Sequence, residues 1–219
     1  MFWNLNERAE YLVRKEISQV FGKIYYKSPQ PFDAPPGLKY AAIHVRRGDK
    51  QVEAIFLPII DYVIGIEKLV NNDREIFIDE KLKRMRVFVA SDDLNGTLPQ
   101  LRQLRPQWEF LYRKSAENST GHIQDVFNAL PMVKKLQKTL ELITDIEFLR
   151  GSKYFVCTAG SNLCRLMQIL RTAPFDTIST LDDRMEKMIE LGAPALSLKG
   201  FRQARSPRFE LFRYNSTRL

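Results

Sequence analysis

Two arginines stand side by side in the stretch IHVRRGDK, residues 43–50, between a histidine and an aspartate and directly behind a short apolar run. Guanidinium groups suit phosphate oxygens, because each offers a planar fork of donors and keeps its charge at any physiological pH. Further along, apolar runs are followed by Asp92 and Asp93 in SDDLNG and by Thr158 and Ser161 in the small-residue turn TAGS. If these runs are strands of one parallel sheet, Arg46, Arg47, Asp49, Asp92, Asp93, Thr158 and Ser161 share a rim. The chemistry suggested is binding of a diphosphate. The arginines would fork its oxygens, a small-residue turn opening a helix would offer N–H groups and a positive dipole end, and the carboxylates could hold hydroxyls of a sugar or ribose.

The elements that must position these residues follow from periodicity. Residues 6–22 carry Leu12, Val13, Ile17, Val20 and Phe21 at helical spacing, and SPQPFDAPPG (28–37) breaks that helix. Residues 40–45 read as a strand and 58–70 as a helix; 86–90 (RVFVA) read as a second buried strand, with a helix from about 98 to 104. A weaker strand is expected over 108–112, and 123–149 reads as helix divided at Pro131. Then YFVC (154–157) is a strand and 162–170 a helix. Strands alternating with helices predict an α/β, Rossmann-like parallel sheet flanked by helices, whose ligands gather at the carboxyl ends of the strands.

Composition sets the limits. The chain has 219 residues, 44% of them hydrophobic, enough for one ordinary domain with a real core, or for half of a two-domain enzyme. Its net charge of +8 favours an anionic partner without choosing among phosphate, nucleic acid, acidic glycan or membrane surface. Nucleic acid is excluded on pattern, since no RNP, KH or zinc-finger motif occurs and the basic residues are dispersed. The longest apolar stretch, 55–70, is interrupted by Asp61 and Glu67 and falls short of the roughly 20 residues a bilayer needs. MFWNLNERAEYL lacks the features of a secretory signal, which leaves a cytosolic chain or one without its N-terminus. Cys157 and Cys164 have neither CxxC pairing nor companion histidines, so no metal site is expected. By spacing alone they are either a bridge or two buried thiols.

Longer segments carry a family resemblance. AAIHVRRGDKQVEAIFLPIIDYV resembles the first signature of the α1,6-fucosyltransferases, the family of the core N-glycan and nodulation fucosyltransferases. RVFVASDDLNGTL is similar to the second signature and DIEFLRGSKYFVCTAGSNLCRLMQILR to the third, while STLDDRMEKMIELG resembles a segment that follows in the core-fucosylating enzymes. The resemblance is collinear over roughly residues 41–192. It implies the donor-binding domain of a GT-B glycosyltransferase that transfers fucose from GDP-fucose with inversion, α1,6 to the core GlcNAc of N-glycans, with no metal or other cofactor. Carried over position by position, Arg46 and Arg47 grip the diphosphate with Ser161 and its neighbour Asn162. His44 and Asp145 recognise the guanine, Asp92 and Asp93 shape the donor pocket, and Glu53 is the general base with Lys50 and Asp49 beside it. The resemblance also implies a Cys157–Cys164 disulfide, a Golgi lumenal location and a glycan acceptor, with membrane attachment only through an N-terminal anchor missing from this chain; it admits a homodimer.

The chain departs from the family at Gly48, where the core-fucosylating enzymes commonly have threonine, in a shorter loop from Lys50 to Glu53, and at Gly160 and Asn162, which replace serine and glutamine. By this resemblance, an additional N-terminal domain and stem that family members carry are expected to be lacking from this chain. The expected organisation is a leading helix and Pro-rich linker (1–37), a Rossmann-like domain (38–200) and a basic tail (201–219). That truncation motivates a rival, a catalytically inactive sugar-nucleotide-binding or interaction protein of this family. Each residue also has a plainer reading. The tripeptide Arg47-Gly48-Asp49 follows a buried strand and does not suit adhesion, His44 alone is a semi-buried histidine, Asp93 a helix cap, Asp145 a surface or capping residue, and Ser161 a helix N-cap. Sequons at Asn95, Asn118 and Asn215 fit a lumenal chain but arise by chance.

Overall fold

The structure, a computed structural model, describes residues 6–21, 40–48, 56–71, 78–79, 84–171 and 177–182. Helix α1 (Glu7–Phe21) starts where the Asn6 side chain accepts the Ala9 N–H at 2.9 Å, and it buries Val13 and Ile17. The stretch Ala41–Val45, apolar except for His44, forms β1, buried along its whole length, as expected of a strand covered on both faces. Then follow α2 (Ile59–Asn71), the short β2 (Ile78–Asp79), β3 (Arg84–Ser91), α3 (Leu94–Leu104) and β4 (Glu109–Leu111). The second half contains α4 (Gln124–Ala129), α5 (Met132–Gly151), β5 (Tyr154–Cys157), α6 (Asn162–Leu170) and β6 (Ile178–Thr180). Pro131 separates α4 from α5, at the position where its missing N–H costs the second helix nothing.

Among the described residues five strands run parallel in the order β4-β3-β1-β5-β6, and β2 adds an antiparallel pair of residues to β3. Ala41 lies between Val87 of β3 and Tyr154 of β5, and Ile43 between Val89 and Val156. Alternate side chains feed two cores. Ala42, Phe88, Ala90, Phe155 and Cys157 meet α1, α5 and α6 on one face; Ala41, Ile43, Val45, Val87, Val89 and Val156 meet α2 and α3 on the other. The first core centres on Phe88 stacked against Phe148 with ring centroids 4.2 Å apart. In the second, Gly65 lets α2 lie close on β5, since a Cβ there would be 2.9 Å from Val156 Cγ1.

This is the Rossmann-like α/β arrangement that the alternation of strands and helices predicts. Helix α3 begins four residues earlier than its periodicity suggests, ahead of Pro99. Its leading N–H groups have partners that periodicity cannot show. Leu94 N–H donates to Ser119 Oγ at 3.0 Å, Asn95 N–H to Ser119 O at 3.1 Å, and Gly96 N–H to Asp93 Oδ1 at 3.0 Å. The three-residue β6 has no period of its own and exists because β5 offers it an edge.

Candidate functional site

The chain leaves β1 by way of α2 toward β3 and β4 on one side of the sheet, and later returns through α5 to β5 on the other side. The carboxyl ends of β1 and β5 therefore flank the point where strand order reverses, the place where an open parallel sheet leaves a crevice for ligands. The end of β1 and residues 46–48 lead into that crevice, and residues 158–161 follow β5.

Asp92, just past β3, organises the β1 side. Its carboxylate accepts Arg46 Nη1 at 2.5 Å, the backbone N–H of Arg47 at 2.7 Å and the backbone N–H of His122 at 3.2 Å, while its carbonyl accepts Gly121 N–H at 2.7 Å. One aspartate thus ties the arginine pair to a loop 30 residues away in sequence. Arg47 turns to a different neighbour: its guanidinium donates to Leu57 O at 2.9 Å and lies 4.8 Å from the centroid of the Phe56 ring, beside an open groove whose far wall includes Gln100 and Gln103. Gly48 makes the close packing possible. It has φ +43°, and a Cβ there would stand 2.3 Å from His122 O and 2.7 Å from Asp92 Oδ2. The glycine that replaces a threonine in the resembling enzymes is thus matched here by the backbone of Gly121 and His122.

On the β5 side, His44 Nδ1 and Ser161 Oγ are 3.4 Å apart and both residues are buried. Burial lowers the His44 pKa to about 4, with Arg46 adding to the effect and Asp92 opposing it, so the imidazole is neutral at physiological pH. Ser161 occupies the N-cap position of α6 without using its side chain as a cap. The reading of residues 158–161 as a turn with open N–H groups needs correction, because Asp182, beyond β6, already holds two of them. Its carboxylate accepts from Ala159 N–H and from Gly160 N–H, the latter at 2.7 Å. Burial pushes up the pKa of the Tyr62 phenol, on α2, and the neighbouring Thr158 side chain opposes this. Cys157 and Cys164 form a disulfide across the turn.

The family model describing the alpha-(1,6)-fucosyltransferase N- and catalytic domains matches residues 8–184. The chain belongs to this family. As an alpha-(1,6)-fucosyltransferase family member it is a glycosyltransferase domain, and its parallel sheet with helices on both faces suits a glycosyltransferase catalytic domain. The match runs from α1 to just past β6 and so includes both walls of the crevice.

Within this fucosyltransferase domain the other expected site residues fall in different places. Asp93 caps α3 and Asn162 is exposed at the first position of α6. Asp145, on α5, is engaged by Arg113, whose Nε and Nη2 donate to its two carboxylate oxygens at 2.6 and 2.9 Å. Burial pushes the Asp145 carboxyl up and the guanidinium pulls it back. Asp49, Lys50 and Glu53 lie outside the described residues. Four contributors escaped sequence reading: Ser119, Gly121 and His122, which close over β1 and β3, and Tyr62. Glycine with φ +112° at position 121 was the available signal for a tight approach, in the polar loop 115–121. Among the described residues no helix is long and apolar enough to cross a membrane.

Proposed function

We propose that this fucosyltransferase domain uses GDP-fucose and transfers fucose with inversion, α1,6 to the core GlcNAc of N-glycans, as the donor-binding half of a GT-B enzyme. The observation that carries the reading is the placement of Arg46 and Arg47 at the reversal point of a parallel sheet, opposite the buried His44–Ser161 pair. In this reading the two guanidiniums neutralise the diphosphate, which makes GDP a better leaving group as the bond to the fucose carbon lengthens. Neutral His44 can donate or accept one hydrogen bond toward the nucleotide without adding charge. Glu53 removes the acceptor hydroxyl proton as that oxygen attacks the face opposite GDP, which yields the inverted linkage; general-base catalysis of this kind contributes on the order of 100- to 10,000-fold. The arginines supply the cationic charge in this mechanism, so it requires no metal. The disulfide supports a lumenal, oxidising location such as the Golgi.

Titration calorimetry with GDP, together with a transfer assay using GDP-fucose and an N-glycan bearing the core GlcNAc, tests the reading. Wild-type protein should bind GDP, and Arg46→Ala and Arg47→Ala should each lose that binding. Binding heats unchanged in both variants would refute the phosphate assignment. Binding without turnover would favour the inactive, sugar-nucleotide-binding alternative.

A further inference from the structure

The turn after β5 holds four partners drawn from four separate elements. Cys157 is bonded to Cys164 of α6, Ala159 and Gly160 donate to Asp182 beyond β6, Thr158 neighbours Tyr62 of α2, and Ser161 faces His44 of β1. Among these only Asp182 is charged, and it is placed by the sheet itself. β6 pairs in register with β5, Cys157 opposite Thr180, and Leu181 N–H donates to Cys157 O at 3.0 Å, so the next side chain arrives over the turn. A carboxylate there satisfies two convergent amides that lead into the positive end of α6, a place that favours negative charge.

We infer that Asp182 is a positioning residue for donor recognition: its carboxylate is the resident anion of the Ala159–Gly160 amides, and by holding them it fixes the turn that presents Ser161 to His44. The inference rests on the reading of this crevice as a GDP site. It assigns the amides to the protein's own carboxylate and leaves charge recognition of the donor to arginine side chains. An asparagine at 182 could accept from one amide only, because its NH2 group would face the other N–H donor. A glutamate keeps both acceptor oxygens and the charge.

The test compares wild type, Asp182→Asn and Asp182→Glu by GDP calorimetry, donor KM and kcat, thermal midpoint, and amide exchange at Ala159 and Gly160. Losing one hydrogen bond to a charged group costs the turn its geometry, so Asp182→Asn should weaken GDP binding and raise donor KM by about tenfold. Its kcat should stay within about twofold, exchange at the two amides should quicken, and Asp182→Glu should recover most of the affinity. If Asp182→Asn does not fold, Asp182→Ser, whose shorter side chain cannot span both amides as the carboxylate does, should loosen the same turn and weaken GDP in the same direction. Wild-type affinity in Asp182→Asn, or in Asp182→Ser where that variant stands in, overturns the inference while leaving the GDP reading intact. So does tighter binding in Asp182→Asn, which would make the carboxylate a competitor of phosphate. Absence of GDP binding in the wild type overturns both.

Discussion

Asp92 Oδ2 and Arg46 Nη1 lie 2.5 Å apart across the carboxyl ends of β3 and β1, with the Arg46 and Asp92 side chains 20% and 13% exposed. The same carboxylate holds the backbone of Arg47 and His122, so it fixes a guanidinium and two loops at once. Replacing Asp92 by Asn keeps the shape but turns an NH2 group toward one of these donors. We expect a stability loss of about 1–3 kcal/mol and at least roughly tenfold weaker GDP binding. Urea unfolding alongside calorimetry checks this; weakened binding with unchanged stability would make Asp92 a ligand contact instead of an organiser.

His44 gives the protein a specific response to acid. Its pKa of about 4 lies below the ordinary 6.5 because burial disfavours the imidazolium. Below pH 6.5 the unfolded chain gains a proton that the folded chain refuses. The contribution of His44 is therefore full above pH 6.5, falls as pH drops, and is lost once pH has passed through about 4. The separation of the two values corresponds to about 3 kcal/mol. Urea midpoints at pH 7, 5.5 and 4.5 for wild type and His44→Asn should converge on acidification, because the variant lacks this titration. Parallel profiles would show that His44 is not held neutral.

Gly48→Thr restores the residue of the resembling enzymes and should nevertheless damage this chain. Threonine disfavours φ +43°, and its Cβ would meet the His122 carbonyl, a backbone atom that cannot rotate away. A cost of about 3 kcal/mol is expected from strain and overpacking together. Placing alanine or serine at 48 should cost less than threonine, through a smaller side chain. Equal stability of all variants, measured by thermal unfolding, would mean that the Gly121–His122 segment moves aside.

The elements carrying the site were legible where periodicity and burial coincide. β1, apolar except for His44, and β5, apolar throughout, are buried on both faces, and Pro131 marks a helix boundary by its chemistry. The arginine pair and the rim it shares with Asp92 followed from the same pattern. What could not be read were partnerships across the chain. Asp182 is 22 residues from Gly160, and Arg113 is 32 from Asp145. Nothing local distinguishes an aspartate that will clamp a turn from one that caps a helix, because the register of β6 against β5 decides it. The same limit made Ser161 look like a simple N-cap, whereas its hydroxyl faces a buried histidine on another strand.

The Cys157–Cys164 bridge closes a short loop across the turn that bears Ser161. Chain-entropy reasoning for a loop of this size gives about 2–3 kcal/mol of stabilisation. The Cys157→Ala/Cys164→Ala double variant should lose that amount in chemical denaturation and should respond no further to reductant. A wild-type midpoint that is insensitive to reductant at full reduction would contradict this, with the redox state verified by thiol counting.

Arg113 and Asp145 show how stability and recognition can be separated at one position. The guanidinium is buried, engages both oxygens of Asp145 and also donates to Ser115 Oγ at 2.7 Å. Removing Arg113 leaves the Asp145 carboxylate stranded in the interior, so Arg113→Ala should cost about 3–5 kcal/mol. Asp145→Ala should cost less, because Glu141 Oε2 also lies 3.6 Å from Arg113 Nη1. Replacing both with apolar residues of similar volume, Arg113→Met with Asp145→Leu, removes the stranded charge and should recover much of that loss. If Asp145 only braces α5 against the segment after β4, the double variant should also regain GDP affinity. If it reads the guanine as the family resemblance implies, folding should recover and affinity should not. Denaturation and GDP calorimetry on the same three variants therefore assign the residue, because a bracing carboxylate and a reading carboxylate predict opposite affinities in a protein of similar stability.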